Sequence, residues 1–317
     1  MHPERLKTVV FHPRLEVYRA LLSSVEADTD FVFAQDEAAL TVALNEAQIL
    51  ITLACPPVVI ERGKALRWIQ TTSSGVDPLV PHHKALREIA VTNARGIHAD
   101  QIGDFVMASM VNLLWNMPRL VRRQAERDWQ RETRPPLAGS TLGIIGLGAV
   151  AKGIIRRARA SGMEVVGLSR SGAPAEGVST VYRREALHEM LARCDFVALV
   201  VPGTPDTERM IDAAALQAMK PGSFLINVAR GSVVDEVALI EALRDGIIAG
   251  AALDVFAVEP LPVDNPLWAM PNVIVTPHLA GMSSAYDAQV VQLFLDNLAR
   301  LRRGEPLHNL VDLSRGY

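Results

Sequence analysis

Residues 140–170 read STLGIIGLGAVAKGIIRRARASGMEVVGLSR. A short apolar run, Leu142 to Ile145, leads into Gly146 and Gly148, and Ala151 follows three residues on. Ile154, Ile155 and Ala158 then recur at helical spacing, and a second apolar run, Val165 to Leu168, closes the stretch. Strand, glycine turn, helix and strand within about 30 residues is the pattern of a βαβ crossover. Gly146 permits the tight turn, Gly148 leaves room for main-chain N–H groups to approach a pyrophosphate, and Ala151 lets helix and strand pack closely. The helix N-terminus adds unpaired N–H donors and the positive end of its dipole. Glycines cluster in any tight turn, so the motif alone is weak. With both flanks in place it points to dinucleotide binding.

The end of the second strand should read the ribose. A site for NAD places Asp or Glu there to hold the 2′-hydroxyl. This chain has Ser169 and Arg170, then Ser171, and no carboxylate before Glu176. An arginine among small hydroxyls suits a 2′-phosphate by charge and by bidentate geometry. The expected cofactor is therefore NADP(H), with NAD(H) possible. The alternative is a solvated loop arginine and a site indifferent to the 2′ position.

The 317 residues suffice for two domains. A chain that is 49% hydrophobic and 21% charged fits a globular protein with a large core. The net charge of −3 argues for neither nucleic acid nor an anionic membrane as partner. Cys55 and Cys194 form no metal or redox motif, so no metal is expected and a disulfide is not. The cytoplasm is then the expected compartment. The N-terminal MHPERLKTVV lacks the apolar core of a signal peptide, and no stretch is long and apolar enough to span a membrane.

Apolar runs at Thr8–Phe11, Phe31–Ala34, Ile49–Leu53, Trp68–Thr71 and Ala90–Thr92 read as strands, with helical segments such as Arg14–Ser23 between them. That alternation predicts a parallel sheet covered by helices, with ligands at the C-terminal strand ends. TTSSGVD, 71–77, lies at such an end. There Ser74 and Gly75 offer amides to a carboxylate, although alone the segment reads equally as a strand-to-helix turn. Residues 98–131 form a long helical pattern, apolar nearly all round in its first half, which Pro118 should kink or divide. Past Arg170, strands are expected at Phe196–Val201, Phe224–Val228, Ala249–Leu253 and Val273–Val275. Helices are expected near 185–193, 207–219, 235–245 and 284–303.

Arg230, Asp254, Glu259 and His278 each fall just past the C-terminal end of one of these strands. Singly, they read as a surface charge, turn residues and a satisfied histidine. Together they converge on the edge that carries the glycine turn.

The chain resembles the D-isomer-specific 2-hydroxyacid dehydrogenases, the family of phosphoglycerate, glyoxylate/hydroxypyruvate and formate dehydrogenases. The resemblance is carried by GLGAVA (146–151), NVARGSVVDE (227–236), LDVFAVEPLP (253–262), NPLW (265–268) and TPHLAG (276–281). TTSSGVD and VTNARGIHA (91–99) match the family's first domain. The implied fold is α/β, with two Rossmann-like or flavodoxin-like domains built on parallel sheets. A dinucleotide-binding domain, 99–281, is inserted into a substrate domain of 1–98 plus 282–317. The resemblance further implies a homodimer formed through the helical segment after His98. It extends the cofactor contacts to Ala149, Val150, Val201, Pro202, Thr207, Val228, Ala229, Arg230, Asp254, His278, Ala280 and Gly281. Three departures stand out: Ala151 for the third glycine, Ser169 for the NAD-type Asp, and Asp104, preceded by Gly103, for the usual Glu of the first long helix. The last suggests a looser hinge or dimer contact.

Reduction of a 2-keto acid requires a held carboxylate, a polarised carbonyl and a delivered proton. Arg230 suits the first two, with Ser74 and Gly75 sharing the carboxylate. His278 suits the third, and Glu259 would orient its ring and favour the charged form. Asp254 is expected at the nicotinamide carboxamide, as in the family. The expectation is an enzyme that reduces small 2-keto acids of the glyoxylate or hydroxypyruvate class. The rival is a dinucleotide-sensing binding protein on the same fold, similar to the dehydrogenase-like corepressors. Those carry extra terminal segments, which this chain is expected to lack.

Overall fold

A computed structural model describes residues 5–23, 25 and 29–316. The outermost ends of the expected substrate domain, 1–4 and 317, lie outside that range. The chain divides into two compact units, one made of Met1–Ile97 with Ser283–Tyr317, the other of His98–Met282.

The first unit opens with β1 (Leu6–Phe11), α1 (Leu15–Ser23), β2 (Thr29–Phe33) and α2 (Glu37–Ala43). It continues through β3 (Ile49–Thr52), α3 (Pro57–Arg62), β4 (Trp68–Thr71) and β5 (Ala90–Thr92). The five strands are parallel in the order β2-β1-β3-β4-β5, the flavodoxin-like arrangement. Neighbouring residues face opposite sides of the sheet. Val9 and Leu50 enter one core, and Val10, Ile49 and Ile51 enter the other. The C-terminal helix, Tyr286–Arg303, returns to this unit and covers the second core, where Phe294 stacks on Trp68 with ring centroids 5.0 Å apart. Gly304, at a left-handed φ of 66°, ends that helix.

The second unit begins with α4 (Ala99–Trp115) and α5 (Met117–Glu126). Asn116, at φ 49°, separates them, and Pro118 sits in the first turn of α5, where its missing N–H costs nothing. Next come β6 (Thr141–Ile145), α6 (Ala149–Ala160), β7 (Glu164–Leu168), β8 (Thr180–Tyr182), α7 (Leu187–Leu191) and β9 (Phe196–Leu199). The unit closes with α8 (Ala213–Ala218), β10 (Phe224–Asn227), α9 (Glu236–Arg244), β11 (Gly250–Leu253) and β12 (Val273–Val275), and the C-terminal helix is α10. All seven strands are parallel, in the order β12-β11-β10-β9-β6-β7-β8. The order reverses at β6, which creates a switch point between β6 and β9. Two of these elements differ from expectation. β8 follows a polar loop and had no apolar pattern to announce it. The helix expected over 207–219 is limited to Ala213–Ala218, because Asp212 caps it by accepting from the Ala215 N–H at 2.8 Å.

α4 and α6 cross at two glycines. A Cβ on Gly153 would overlap the carbonyl oxygen of Ala99, and one on Gly103 would lie 3.0 Å from the Gly153 carbonyl. Gly103 is therefore a close-packing residue. Beside it, Asp104 receives a 2.6 Å hydrogen bond from Nε of Arg157. This pairing ties the two helices together. Gly153→Ala should destabilise the protein by about 1–3 kcal/mol, since overpacking against backbone outweighs the gain in helix propensity of about 1 kcal/mol. A melt of the variant at or above the wild-type temperature would contradict this packing. Among the described residues no helix is long and apolar enough to cross a membrane, and no cluster of side chains is arranged to hold a metal ion.

Candidate functional site

Parallel strands place every chain exit of the second sheet on one edge. Gly146 follows β6, Ser169 and Arg170 follow β7, and Val201 and Pro202 follow β9. Val228, Ala229 and Arg230 follow β10, Asp254 follows β11, and His278 follows β12.

At the switch point Gly146 adopts φ 102°, and an added Cβ would lie 2.9 Å from both the Val200 carbonyl oxygen and Cγ1 of Val201. Only glycine fits. A Cβ on Gly148, by contrast, would meet nothing within 4 Å. Gly148 also caps α6 without any side-chain hydrogen bond, so Ala149 and Val150 open the helix with main-chain donors not capped by a side chain. Open space above an uncapped helix N-terminus fits a pyrophosphate. In the β9 exit, Thr207 is occupied with its own loop. Its hydroxyl donates to the Pro202 carbonyl at 2.6 Å and accepts from the Thr204 N–H at 2.9 Å.

His278 and Glu259 are paired. His278 Nδ1 lies 2.8 Å from Oε2 of Glu259, and Oε1 of Glu259 accepts the Phe256 N–H at 3.0 Å. One carboxylate oxygen is thus anchored to the main chain while the other orients the ring. The Nε2 atom of His278 has no partner among the described residues and is the nitrogen able to exchange a proton. Both side chains are exposed, at 51% for His278 and 36% for Glu259.

His278 holds a left-handed φ of 51°, uncommon for any residue but glycine. The strain is held by hydrogen bonds to Asp254. The His278 N–H donates to the Asp254 carbonyl at 2.9 Å. The Asp254 carboxylate, 1% exposed, accepts from the Thr276 hydroxyl at 2.6 Å and from the N–H groups of Leu279 and Ala280, each at 2.9 Å. The sequence offered Asp254 as a contact to the nicotinamide carboxamide; in the folded chain its carboxylate builds the turn that presents His278. Gly281 ends this turn, with the His98 ring where a Cβ would stand. Burial first, then the nearby Arg230 charge, depresses the His98 imidazole to about 4, so it is neutral at physiological pH.

The Arg230 loop is fixed on both flanks. Asn227, 1% exposed, donates from Nδ2 to the Arg230 carbonyl at 3.0 Å, and its Oδ1 accepts the Ala229 N–H at 3.0 Å. A Cβ on the adjacent Gly231 would overlap the Phe256 carbonyl group, so the Arg230 loop lies directly on the loop that carries Glu259. Glu236 secures that second loop by accepting from the Ala257 N–H at 3.2 Å and from Nδ2 of Asn265 at 2.9 Å. Asn227, Glu236 and Thr276 were not singled out from sequence. They sit inside the quoted motifs, but nothing in their spacing reveals the partners that folding gives them.

Ser74 and Gly75 belong to the first unit, in the turn after β4. Hydrogen bonds shape the turn. The Ser73 hydroxyl donates to the Gly75 carbonyl at 2.6 Å, Asn93 Nδ2 to the Ser74 carbonyl at 2.7 Å, and the exposed Ser74 hydroxyl to the Ala94 carbonyl at 3.3 Å.

Residues 107–280 match the model of the D-isomer specific 2-hydroxyacid dehydrogenase NAD binding domain. A glyoxylate reductase of Korarchaeum cryptofilum is 32% identical over 95% of this chain and 96% of its own. Among solved structures, a D-isomer specific 2-hydroxyacid dehydrogenase from Xanthobacter autotrophicus in complex with NADPH and MES is 32% identical. It has a TM-score of 0.88 and covers 99% of this chain and 100% of its own. An NADPH-dependent glyoxylate/hydroxypyruvate reductase from Sinorhizobium meliloti, in complex with NADP and sulfate, is 27% identical. Its TM-score is 0.90, with 99% and 100% covered.

Proposed function

The chain belongs to the D-isomer-specific 2-hydroxyacid dehydrogenase family, and from that premise we propose that it is an NADPH-preferring reductase of small 2-keto acids, of the glyoxylate or hydroxypyruvate class. The reading is carried by the 2.8 Å contact between His278 and Glu259, whose loop packs on that of Arg230. The chemistry of the bound cofactor is hydride donation from its reduced nicotinamide. The protein's part is to hold the keto acid and move one proton. The Arg230 guanidinium pairs with the substrate carboxylate and polarises the carbonyl through its planar fork of donors. In the first unit, the main-chain amides of Ser74 and Gly75 are further proposed donors to the carboxylate. His278 delivers a proton from Nε2 to the carbonyl oxygen, and Glu259 steadies the imidazolium before that transfer and the neutral ring after it. Gly146, Gly148, Ala149 and Val150 are proposed to receive the pyrophosphate, and Ser169 with Arg170 the 2′-phosphate. Val201, Pro202, Thr207, Val228, Ala229, Asp254, Ala280 and Gly281 border the rest of the cofactor. We propose a homodimer through α4 and α5, whose exposed apolar residues include Trp115 and Val121, 45% and 58% exposed.

Steady-state rates with a panel of 2-keto acids, each with NADPH and with NADH, test this reading. NADPH consumption with glyoxylate or hydroxypyruvate is expected to lead the panel. Silence with every keto acid, together with tight cofactor binding, would favour a dinucleotide-sensing protein. Glu259→Gln removes the carboxylate that orients the His278 ring at 2.8 Å, so kcat for keto-acid reduction should fall by about tenfold or more while cofactor affinity holds. A wild-type kcat in this variant would separate Glu259 from the proton donor.

A further inference from the structure

β7 and β8 run parallel with Leu168 opposite Tyr182, so the next residues, Ser169 and Arg183, leave the sheet side by side. The Ser169 N–H donates to the Tyr182 carbonyl at 3.0 Å and holds the two exits together. The chain then turns, with the Gly172 N–H donating to the Ser169 hydroxyl at 3.1 Å. Gly172 adopts φ 66°, and a Cβ there would stand 2.7 Å from Cγ and 2.8 Å from Nε of Arg183. The Arg183 side chain is therefore laid across the bare face of the 169–172 turn, the turn expected to read the ribose. Its exposed guanidinium has no hydrogen-bond or ion-pair partner among the described residues. The neighbouring Arg184, in contrast, is engaged with the Asp206 carbonyl.

We propose that Arg183 is a second guanidinium of the 2′-phosphate site and a residue that selects NADPH over NADH. The inference rests on the NADPH reading above and assigns to it a residue at the exit of a strand that the sequence did not announce. A phosphomonoester offers three oxygens and close to two negative charges, and one planar fork satisfies only part of that valence. Ser169 keeps an O–H to donate, Arg170 approaches from its own strand exit, and Arg183 from the next. A ribose 2′-hydroxyl presents no such charge, so Arg183 contributes nothing to NADH.

The test is calorimetric titration of the wild type, Arg183→Gln and Arg183→Lys with NADPH, NADH, 2′,5′-ADP and 5′-AMP. Wild type should bind 2′,5′-ADP tighter than 5′-AMP. Arg183→Gln should weaken NADPH and 2′,5′-ADP by about tenfold or more, the usual loss for a charge-assisted hydrogen bond, with NADH and 5′-AMP within about twofold of wild type. Arg183→Lys should fall between. If wild type does not distinguish the two fragments, the NADPH reading fails and this inference with it. If wild type distinguishes them and Arg183→Gln binds all four ligands as wild type does, the inference alone fails and the reading stands on Arg170. Equal weakening of all four ligands would make Arg183 a support of the turn, which also overturns the proposal.

Discussion

His278→Ala is expected to lower kcat for keto-acid reduction by about 10²-fold or more, the scale set by losing a positioned general acid. Cofactor affinity should be nearly unchanged, because the surrounding turn is built by Asp254 and Thr276 rather than by the imidazole. The Asp254 carboxylate binds the main-chain N–H groups of Leu279 and Ala280, and those bonds survive removal of the ring. Alanine at a left-handed position carries its own strain, so His278→Asn, which tolerates that backbone and donates no proton at neutral pH, is the companion variant. Both should be slow. Near-wild-type turnover in the asparagine variant would remove His278 as proton donor.

Arg230→Ala is the second large effect. Losing the guanidinium should cost about 10²-fold or more in kcat/KM, since it leaves an anionic substrate without its principal charge partner. The deficit should appear in KM as well as kcat, because the carboxylate is bound in ground state and transition state alike. Folding should survive. The side chain donates to its neighbour's carbonyl, Ala229, at 2.7 Å, while the loop itself is held by Asn227 and by the close approach of Gly231 to Phe256. Arg230→Lys should recover only part of the activity, because a point charge cannot reproduce a bidentate fork. A variant with the wild-type KM for the keto acid would contradict the assignment.

The second unit was legible because its strands are buried on both faces and read as apolar runs. Val165 and Val166, for example, enter different cores on opposite sides of the sheet. The runs of β10, β11 and β12 lead on to polar residues, which placed Arg230, Asp254 and His278 on one edge before any coordinates. β8 escaped because three residues after SGAPAEGVS carry no period to detect, and Arg183 was overlooked with it. Gly103 and Gly153 could not be matched as a helix crossing, since they lie on separate helices whose approach is a tertiary fact. Asp254 was visible as a carboxylate at a strand end. That its oxygens fold the TPHLAG turn depended on the neighbouring strand, β12, ending beside it.

On this reading NADPH supplies hydride to a 2-keto acid while the guanidinium holds the carboxylate and the imidazole–carboxylate pair delivers the proton, giving the D-2-hydroxy acid. It is tested most directly by converting hydroxypyruvate with the purified protein and NADPH, and resolving the glycerate enantiomers. The expected result is D-glycerate, formed mole for mole with the NADPH consumed and lost in the His278 variants. L-glycerate, or no glycerate from a protein that binds NADPH, would contradict it.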